Sequence, residues 1–201
     1  MTEKEKMIAG ILYDAFDSDL IKDRKYARQL AIEYNRTNED EKDKRQDILK
    51  KLLGSIGENV NLEPDIRFDY GYNTTIGSNC AFNFNNVFLD CAPIKIGDNV
   101  LVGPNVSFLT PVHPLVSDER NFSYDKDGSL HLIEYAKPIT IGNNVWICGN
   151  VTINGGVNIG DDVVIASGSV VTRDIPSGVI AAGVPCKVIR EITDEDRMFD
   201  R

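Results

Sequence analysis

The sequence has too few cysteines and histidines, in the wrong arrangement, for the common metal and redox sites. Its four cysteines are far apart and include no CxxC pair, which argues against a zinc knuckle or a dithiol redox site and predicts reduced thiols: Cys80, Cys91, Cys148 and Cys186. Only two histidines occur, His113 and His131, so one subunit cannot supply a three-histidine zinc site. We therefore expect no metal.

Positive charge and long apolar runs are also missing. The net charge is −9, which argues against a nucleic acid partner, because binding phosphate backbones usually needs a basic surface. No run approaches the roughly 20 apolar residues of a membrane span, and the chain starts with alternating charges rather than a basic end and an apolar stretch. We expect a soluble, cytoplasmic protein. Neither GxxxxGK[ST] nor a strand-associated GxGxxG is present, so ATP and NAD are not indicated.

A six-residue repeat of large apolar residues dominates the rest of the chain. Its members are Ile76, Phe82, Phe88 and Ile94, and then Ile141, Ile147, Ile153, Ile159, Ile165 and Val171. This period predicts a parallel β-helix in which each coil has three short strands and the repeating residue points into the core. The spacing predicts the coil but not its hand.

Residues 1–56 lack the repeat and read as a helical segment. Apolar spacing predicts a helix over Lys4 to Phe16, a second helix capped by Ser18, and a third from about Asn38 to Leu53. A solenoid needs a cap over the open end of its core, and the same segment can contribute to an acceptor pocket. We place the β-helix domain at 57–190 and a C-terminal tail at 191–201.

The repeat is interrupted twice. Near CAPIKIG its register slips by two residues, and between Phe108 and Ile141 it stops, leaving a loop at 110–138 that holds both histidines. A long excursion from a rigid scaffold is typical of a functional loop, although a disordered insertion would also fit.

Three residues could carry chemistry: His113, Asn83 and Glu134. His113, flanked by prolines in TPVHP, could act as a general base or be a structural or exposed histidine. We interpret His131 as incidental. Asn83 could bind an acceptor hydroxyl or form part of an asparagine ladder, and Glu134 could orient an imidazole, contact an acceptor or be an exposed carboxylate.

A basic group near the end of the chain suggests an anionic ligand. Residues 61–201 hold 10 basic and 18 acidic side chains, yet Arg173, Lys187 and Arg190 fall near the last coils. Phosphates of a nucleotide-like cofactor would fit this group, and surface pairing with Asp174 or Glu191 is the alternative.

Several motifs occur together along nearly the whole chain: MTEKEKMIAGILY, DYGYN, IGDNVLVGPNV, TPVHP, KPITIGNNVWICGNVTINGGVNIGDDVVIASGSVVTRDIP and AAGVPCKVIREI. Together they resemble the maltose and galactoside O-acetyltransferases among the hexapeptide-repeat acyltransferases, and the maltose enzymes most closely. This resemblance implies a left-handed β-helix that forms homotrimers, with each active site between subunits. It further implies direct transfer of acetyl from acetyl-CoA to a hydroxyl of a sugar such as maltose or glucose, without an acyl-enzyme.

The resemblance also assigns site residues by matching motifs. His113 falls on the catalytic histidine, which would act as general base. The substrate-binding positions it implies are Asn83, Asp69, Arg24, Asp90 and Asp17. The CoA-binding positions it implies are Trp146, Gly149, Ser167, Thr172, Arg173, Lys187 and Arg190.

Two departures from the family pattern bear on which acceptor is used. Galactoside enzymes have paired aspartates where this chain has Asp90 beside Cys91, and both Asp14 and Asp17 lie near the position of the N-terminal acceptor aspartate. Two alternatives remain. One is acetylation of a non-sugar acceptor such as serine or an antibiotic. The other is a non-catalytic β-helix, which predicts regular threonine or asparagine ladders that we expect to be poor here.

Overall fold

Most of the chain consists of short parallel strands stacked on three faces, which together form a triangular prism. The computed structural model describes residues 1–199. The protein is mainly β, a parallel β-helix of about six turns preceded by a helical segment. Each turn contributes one strand to each face, so the predicted fold class is confirmed.

The strands of each face follow chain order. The first face contains β2 (Ser55–Ile56), β5 (Thr74–Ile76), β8 (Ile94–Ile96), β15 (Ile139–Ile141) and β18 (Asn158–Ile159). The second face contains β3 (Asn61–Leu62), β6 (Ala81–Phe82), β9 (Leu101–Val102), β16 (Trp146–Ile147), β19 (Val164–Ile165), β21 (Val179–Ala182) and the antiparallel β22 (Lys187–Glu191). The third face contains β4 (Arg67–Phe68), β7 (Val87–Leu89), β10 (Ser107–Leu109), β17 (Thr152–Asn154) and β20 (Val170–Val171).

The six-residue repeat forms the core. All ten repeating residues are buried, none more than 3% exposed. Phe68, Phe88 and Phe108 stack in successive turns, with ring centroids 4.4 and 4.8 Å apart. Parallel register places each of these rings directly over the next, so one phenylalanine per turn forms a column inside the prism.

Asparagines turn the corners and form ladders between coils. Asn99 and Asn144 both have positive φ, a left-handed conformation that asparagine tolerates. The Asn99 side-chain amide donates to Asn144 at 3.1 Å, and that of Asn144 donates to Asp162 at 3.0 Å. The expectation that ladders would be poor is therefore wrong, and ladders cannot separate the catalytic from the non-catalytic interpretation.

The predicted register slip near CAPIKIG is a change in coil length. Twenty residues separate Ile56 from Ile76, and again Ile76 from Ile96, whereas eighteen separate Ile141 from Ile159, although all these residues pair in register. The two extra residues of the early coils lie at the corner that follows the third face. That corner gains room for side chains that do not enter the core.

Three helices precede the coils: α1 (Glu3–Ile8), α2 (Ser18–Asn35) and α3 (Lys42–Leu52). Apolar side chains of α2 and α3 belong to the same core as the first coil, so these helices cover its open end. The predicted helix from Lys4 to Phe16 is too long. Gly10 adopts a φ of +71° just after α1, and the chain then forms strand β1 (Tyr13–Asp14).

Asp17, and not Ser18, caps α2. Its carboxylate accepts hydrogen bonds from the backbone N–H groups of Asp19 and Leu20 at 3.1 and 3.2 Å. Ser18 is the first helical residue. The predicted cap is therefore wrong by one position, and the carboxylate predicted to contact an acceptor has a structural role.

We expect Asp17→Ala to destabilise the protein by about 1 kcal/mol, because two N–H groups of the first turn lose their acceptor. Ser18→Ala, the matched control, should change stability by no more than about 0.5 kcal/mol. Urea unfolding at fixed protein concentration measures both. Equal losses in the two variants would contradict the assignment of the cap.

The interrupted segment at 110–138 contains short elements: β11 (Pro111–Val112), α4 (Ser117–Arg120), β12 (Ser123–Tyr124), β13 (Leu130–His131) and β14 (Ile133–Ala136). β14 pairs antiparallel with both β11 and β1, which forms a small sheet outside the prism. This sheet joins the N-terminal segment to the loop.

The C-terminal tail leaves the prism after β22. A 3₁₀ helix (Asp194–Asp196) follows it. Of the predicted tail, residues 200 and 201 lie outside the described residues.

Candidate active site

His113 stands at the edge of the small sheet. It directly follows β11, where flanking prolines limit backbone freedom, and its side chain is 45% exposed. Its Nδ1 atom lies 3.5 Å from Oε2 of Glu134 on β14. The antiparallel register pairs Val112 with Tyr135, so the neighbouring residues His113 and Glu134 share one face of the sheet. A carboxylate beside one ring nitrogen leaves the other nitrogen free to act on a ligand.

Glu134 is buried, so the exposed-carboxylate interpretation is wrong. Burial raises the pKa of Glu134, while the hydroxyl of Tyr13, which donates to Oε1, and the charges of His113 and Arg24 lower it. Tyr13 is only 1% exposed. Each carboxylate oxygen thus faces a different partner, one Tyr13 and one His113.

Arg24 and Asp69, which the resemblance implies as acceptor-binding residues, lie close to this pair. Arg24 donates to the hydroxyl of Tyr70 at 2.6 Å and to the carbonyl of Ala15 at 2.8 Å. Asp69 accepts from Arg28 at 2.6 Å and lines a groove of about 820 Å³ beside α2. Side chains of both charges therefore meet where α2 packs against the corner after β4.

Asp90 does not fit the predicted substrate-binding role. It is fully buried, and its carboxylate accepts from the backbone N–H of Tyr70 at 2.8 Å and from the hydroxyl of Thr74 at 3.0 Å. Burial raises its pKa to about 7. Because no part of Asp90 reaches solvent, the prediction that it contacts a dissolved acceptor is wrong, and its role is to hold the corner together.

Asn83 lies on a different face from His113. It follows β6 on the second face, where it shares a groove of about 360 Å³ with Leu101, Gly103 and Trp146. Its amide oxygen accepts from the N–H of Phe84 at 2.8 Å. The structure thus groups Asn83 with a predicted CoA-binding residue and not with the predicted base of the same chain.

The remaining predicted CoA-binding residues of the coils lie on exposed corners and strands. Trp146 is 52% exposed on β16. Gly149 lies on the turn that follows, and a Cβ there would approach Pro104 to 3.3 Å. Ser167 follows β19 one coil later and is exposed, as is Thr172 after β20. These positions leave space for a ligand along the outside of the coil.

The basic residues do not form a single cluster. Arg173 follows β20 on the third face, whereas Lys187 and Arg190 lie on β22 at the second face. The guanidinium of Arg190 makes two hydrogen bonds to Asp196, at 2.6 and 2.7 Å, and this pairing lowers the pKa of Asp196 to about 2. Within residues 1–199, Arg173 and Lys187 form no ion pair.

His131 is not incidental to the fold. Its Nδ1 lies 2.6 Å from Asp14 on β1, its Nε2 lies 3.1 Å from Asp125, and both carboxylates raise its pKa. His131 therefore links the loop at 110–138 to the N-terminal segment. Sequence reasoning missed this contact and also missed Tyr13, which was assigned to a helix. The glycine at position 10 was the signal that the helix ends earlier.

Two further findings concern metals and membranes. Among residues 1–199, no three or more His, Cys, Asp or Glu side chains are grouped to hold a metal ion. No helix in the same part of the chain is both long and apolar enough to span a bilayer.

Known proteins resemble this chain over almost its full length. Residues 6–57 match the maltose acetyltransferase hexapeptide capping motif, 93–113 a hexapeptide repeat of succinyl-transferase, and 138–173 the bacterial transferase hexapeptide. Galactoside O-acetyltransferase of Escherichia coli is 43% identical over 99% of this chain and 94% of its own.

Solved structures agree with these matches. A maltose O-acetyltransferase from Clostridium difficile 630 superposes with a TM-score of 0.88 at 49% identity, covering 96% of this chain and 99% of its own. A galactoside acetyltransferase in complex with coenzyme A gives a TM-score of 0.88 at 43% identity, with coverages of 100% and 96%. The chain belongs to the maltose and galactoside O-acetyltransferase family of hexapeptide-repeat acetyltransferases.

Proposed function

We propose that the protein transfers acetyl from acetyl-CoA to a hydroxyl of a sugar such as maltose or glucose, with His113 as the general base. The observation that carries this proposal is the exposed imidazole of His113 beside the buried carboxylate of Glu134. The imidazole would take the proton of the acceptor hydroxyl as the oxygen attacks the thioester carbonyl. It would then return the proton to the departing thiolate. Such general acid–base catalysis contributes about 10²–10⁴-fold to rate.

On the acceptor side, Asp69 and Arg24 are suited to bind sugar hydroxyls. Asp69 offers carboxylate oxygens as acceptors, and its side chain is 13% exposed. Arg24 is fixed by Tyr70 and Ala15, so its position is set before a ligand arrives. Side chains of both charges at the proposed acceptor site favour a neutral polyol over a strongly charged acceptor. We therefore propose a sugar as the acceptor, with serine or an antibiotic as the second candidate.

On the donor side, the exposed residues fit acetyl-CoA. The indole of Trp146 presents an apolar surface beside the small residues Gly149 and Ser167, which leave room for a narrow chain. Arg173 and Lys187 can pair with phosphates. Arg190 could do so only by releasing Asp196.

We infer further that the active site is completed between copies of the chain in a homotrimer. The support is the separation of Asn83 and Trp146 on the second face from His113 and Glu134 outside the third face. A neighbouring copy that brought its second face to this His113 would join donor, acceptor and base in one site. Rotational symmetry would then create equivalent sites at every interface.

Thiol release from acetyl-CoA tests the proposal. Purified protein is mixed with maltose, glucose, a β-galactoside, serine, chloramphenicol or no acceptor. We expect release that depends on a sugar, and mass spectrometry should find one added acetyl group on that sugar. Release only with serine or chloramphenicol would support the non-sugar alternative. Absence of both release and CoA binding would support a non-catalytic β-helix.

A further inference from the structure

We propose that Tyr13 is a positioning residue that holds Glu134, and through it the imidazole of His113, in the arrangement needed for proton abstraction. This inference rests on the proposed function. It assigns a role in the active site to the N-terminal segment, through the last residue of the motif MTEKEKMIAGILY, to which the resemblance gave no role.

The geometry forms one continuous chain of contacts. Strand β1 pairs antiparallel with β14 so that Tyr13 lies directly opposite Glu134. The Tyr13 hydroxyl donates to Oε1 of Glu134, and Oε2 of the same carboxylate faces Nδ1 of His113. With Oε1 held by Tyr13, the carboxylate cannot rotate freely, so Oε2 stays directed at His113. The imidazole is then favoured with its proton on Nδ1 and a free lone pair on Nε2.

Several charged and titratable groups surround this carboxylate. Cys91, at the corner after β7, contacts the Tyr13 hydroxyl. Burial raises the pKa of both the thiol and the hydroxyl, so both groups stay neutral. Arg24 on α2 favours ionised Glu134, and Asp69 after β4 disfavours it. Among these groups, Tyr13 is the neutral one that donates a hydrogen bond to the carboxylate of Glu134.

The hydrogen bond from Tyr13 favours the charged form of Glu134, and so lowers its pKa against the effect of burial. Without the hydroxyl, the pKa of Glu134 should rise. If activity needs ionised Glu134, the acidic side of the pH profile must then move to higher pH.

The test is Tyr13→Phe in the full-length protein, with kcat/KM for the sugar measured against pH. We expect the acidic limb of the kcat/KM profile to move to higher pH. At the pH optimum, kcat/KM should fall about tenfold, as for loss of a hydrogen bond to a charged group. KM for acetyl-CoA should not change. In a Glu134→Gln background the same substitution should have no further effect on the limb, because the titrating group is gone.

Tyr34→Phe is the matched control. Tyr34 is equally buried, and its hydroxyl donates to the carbonyl of Leu62 at 2.6 Å, far along the fold from His113. It should lose stability without moving the acidic limb. An unshifted limb in Tyr13→Phe, or an equal shift in Tyr34→Phe, would overturn the proposal.

A second readout does not depend on activity. The chain has only two histidines, so ¹⁵N labelling of histidine gives two pairs of ring-nitrogen signals, and His113→Gln assigns them. We expect the Nδ1–H tautomer of His113 to dominate in the wild type and to lose that dominance in Tyr13→Phe. If no sugar is acetylated, the proposed function fails, yet the tautomer still shows whether Tyr13 positions the ring. An unchanged tautomer contradicts the inference even if catalysis is found.

Discussion

Replacing His113 with alanine should lower kcat about 10²–10⁴-fold, since the variant loses the only imidazole that the structure places beside Glu134. The acceptor hydroxyl would then have to attack without a base to take its proton. Stability should change little, because the side chain is 45% exposed and the carboxylate of Glu134 keeps its hydrogen bond from Tyr13.

Binding of CoA separates loss of catalysis from loss of the site. Trp146 is the only tryptophan and is one of the proposed CoA-binding residues, so quenching of its fluorescence should report binding directly. We expect the dissociation constant of CoA in His113→Ala to remain within about threefold of the wild type. Turnover that stays near the wild-type value would refute His113 as the base, and lost CoA binding would mean that the substitution disturbs the donor site instead.

The largest loss of stability should come from Phe88→Ala, about 3–5 kcal/mol. Phe88 is fully buried between Phe68 and Phe108 in the stacked column. Removing its ring leaves a cavity that two rigid neighbouring coils cannot close, because their spacing is fixed by the strand hydrogen bonds. The substitution breaks the column at its centre, so both neighbouring coils lose contacts.

Phe84→Ala is the control of equal size. Phe84 is 51% exposed at the corner after β6, so its loss should cost no more than about 0.5 kcal/mol. Urea unfolding compares the two at one protein concentration, because the proposed assembly would make apparent stability depend on concentration. Similar losses in both variants would contradict the idea that burial in the column, and not ring size, determines the cost.

The fold could be predicted from the sequence because a solenoid repeats its own constraints. A residue such as Ile147 or Ile153 recurs at a fixed interval because every face of the prism presents the same buried position in each coil. Helix boundaries were less certain. The apolar residues between Ile8 and Phe16 fit a helical pattern, but Gly10 and the pairing of β1 with β14 override that local preference.

The individual roles of acidic residues could not be predicted from the sequence. Asp69, Asp90 and Asp17 all matched acceptor positions, yet their surroundings differ: Asp69 lines a groove and pairs with Arg28. Asp90 is buried and Asp17 caps a helix. A carboxylate has the same chemistry in each case, and its burial depends on the path of the backbone.

The sequence by itself determined the coil, its interruptions and the position of His113, because these depend on spacing along one chain. Only the tertiary structure decided what His113 faces. Tyr13 and Glu134 are separated by 121 residues and meet across a two-residue strand whose short length gives no periodic signal. Contacts of this kind arise where the loop folds back onto the N-terminal segment, and no local pattern of side chains records that approach.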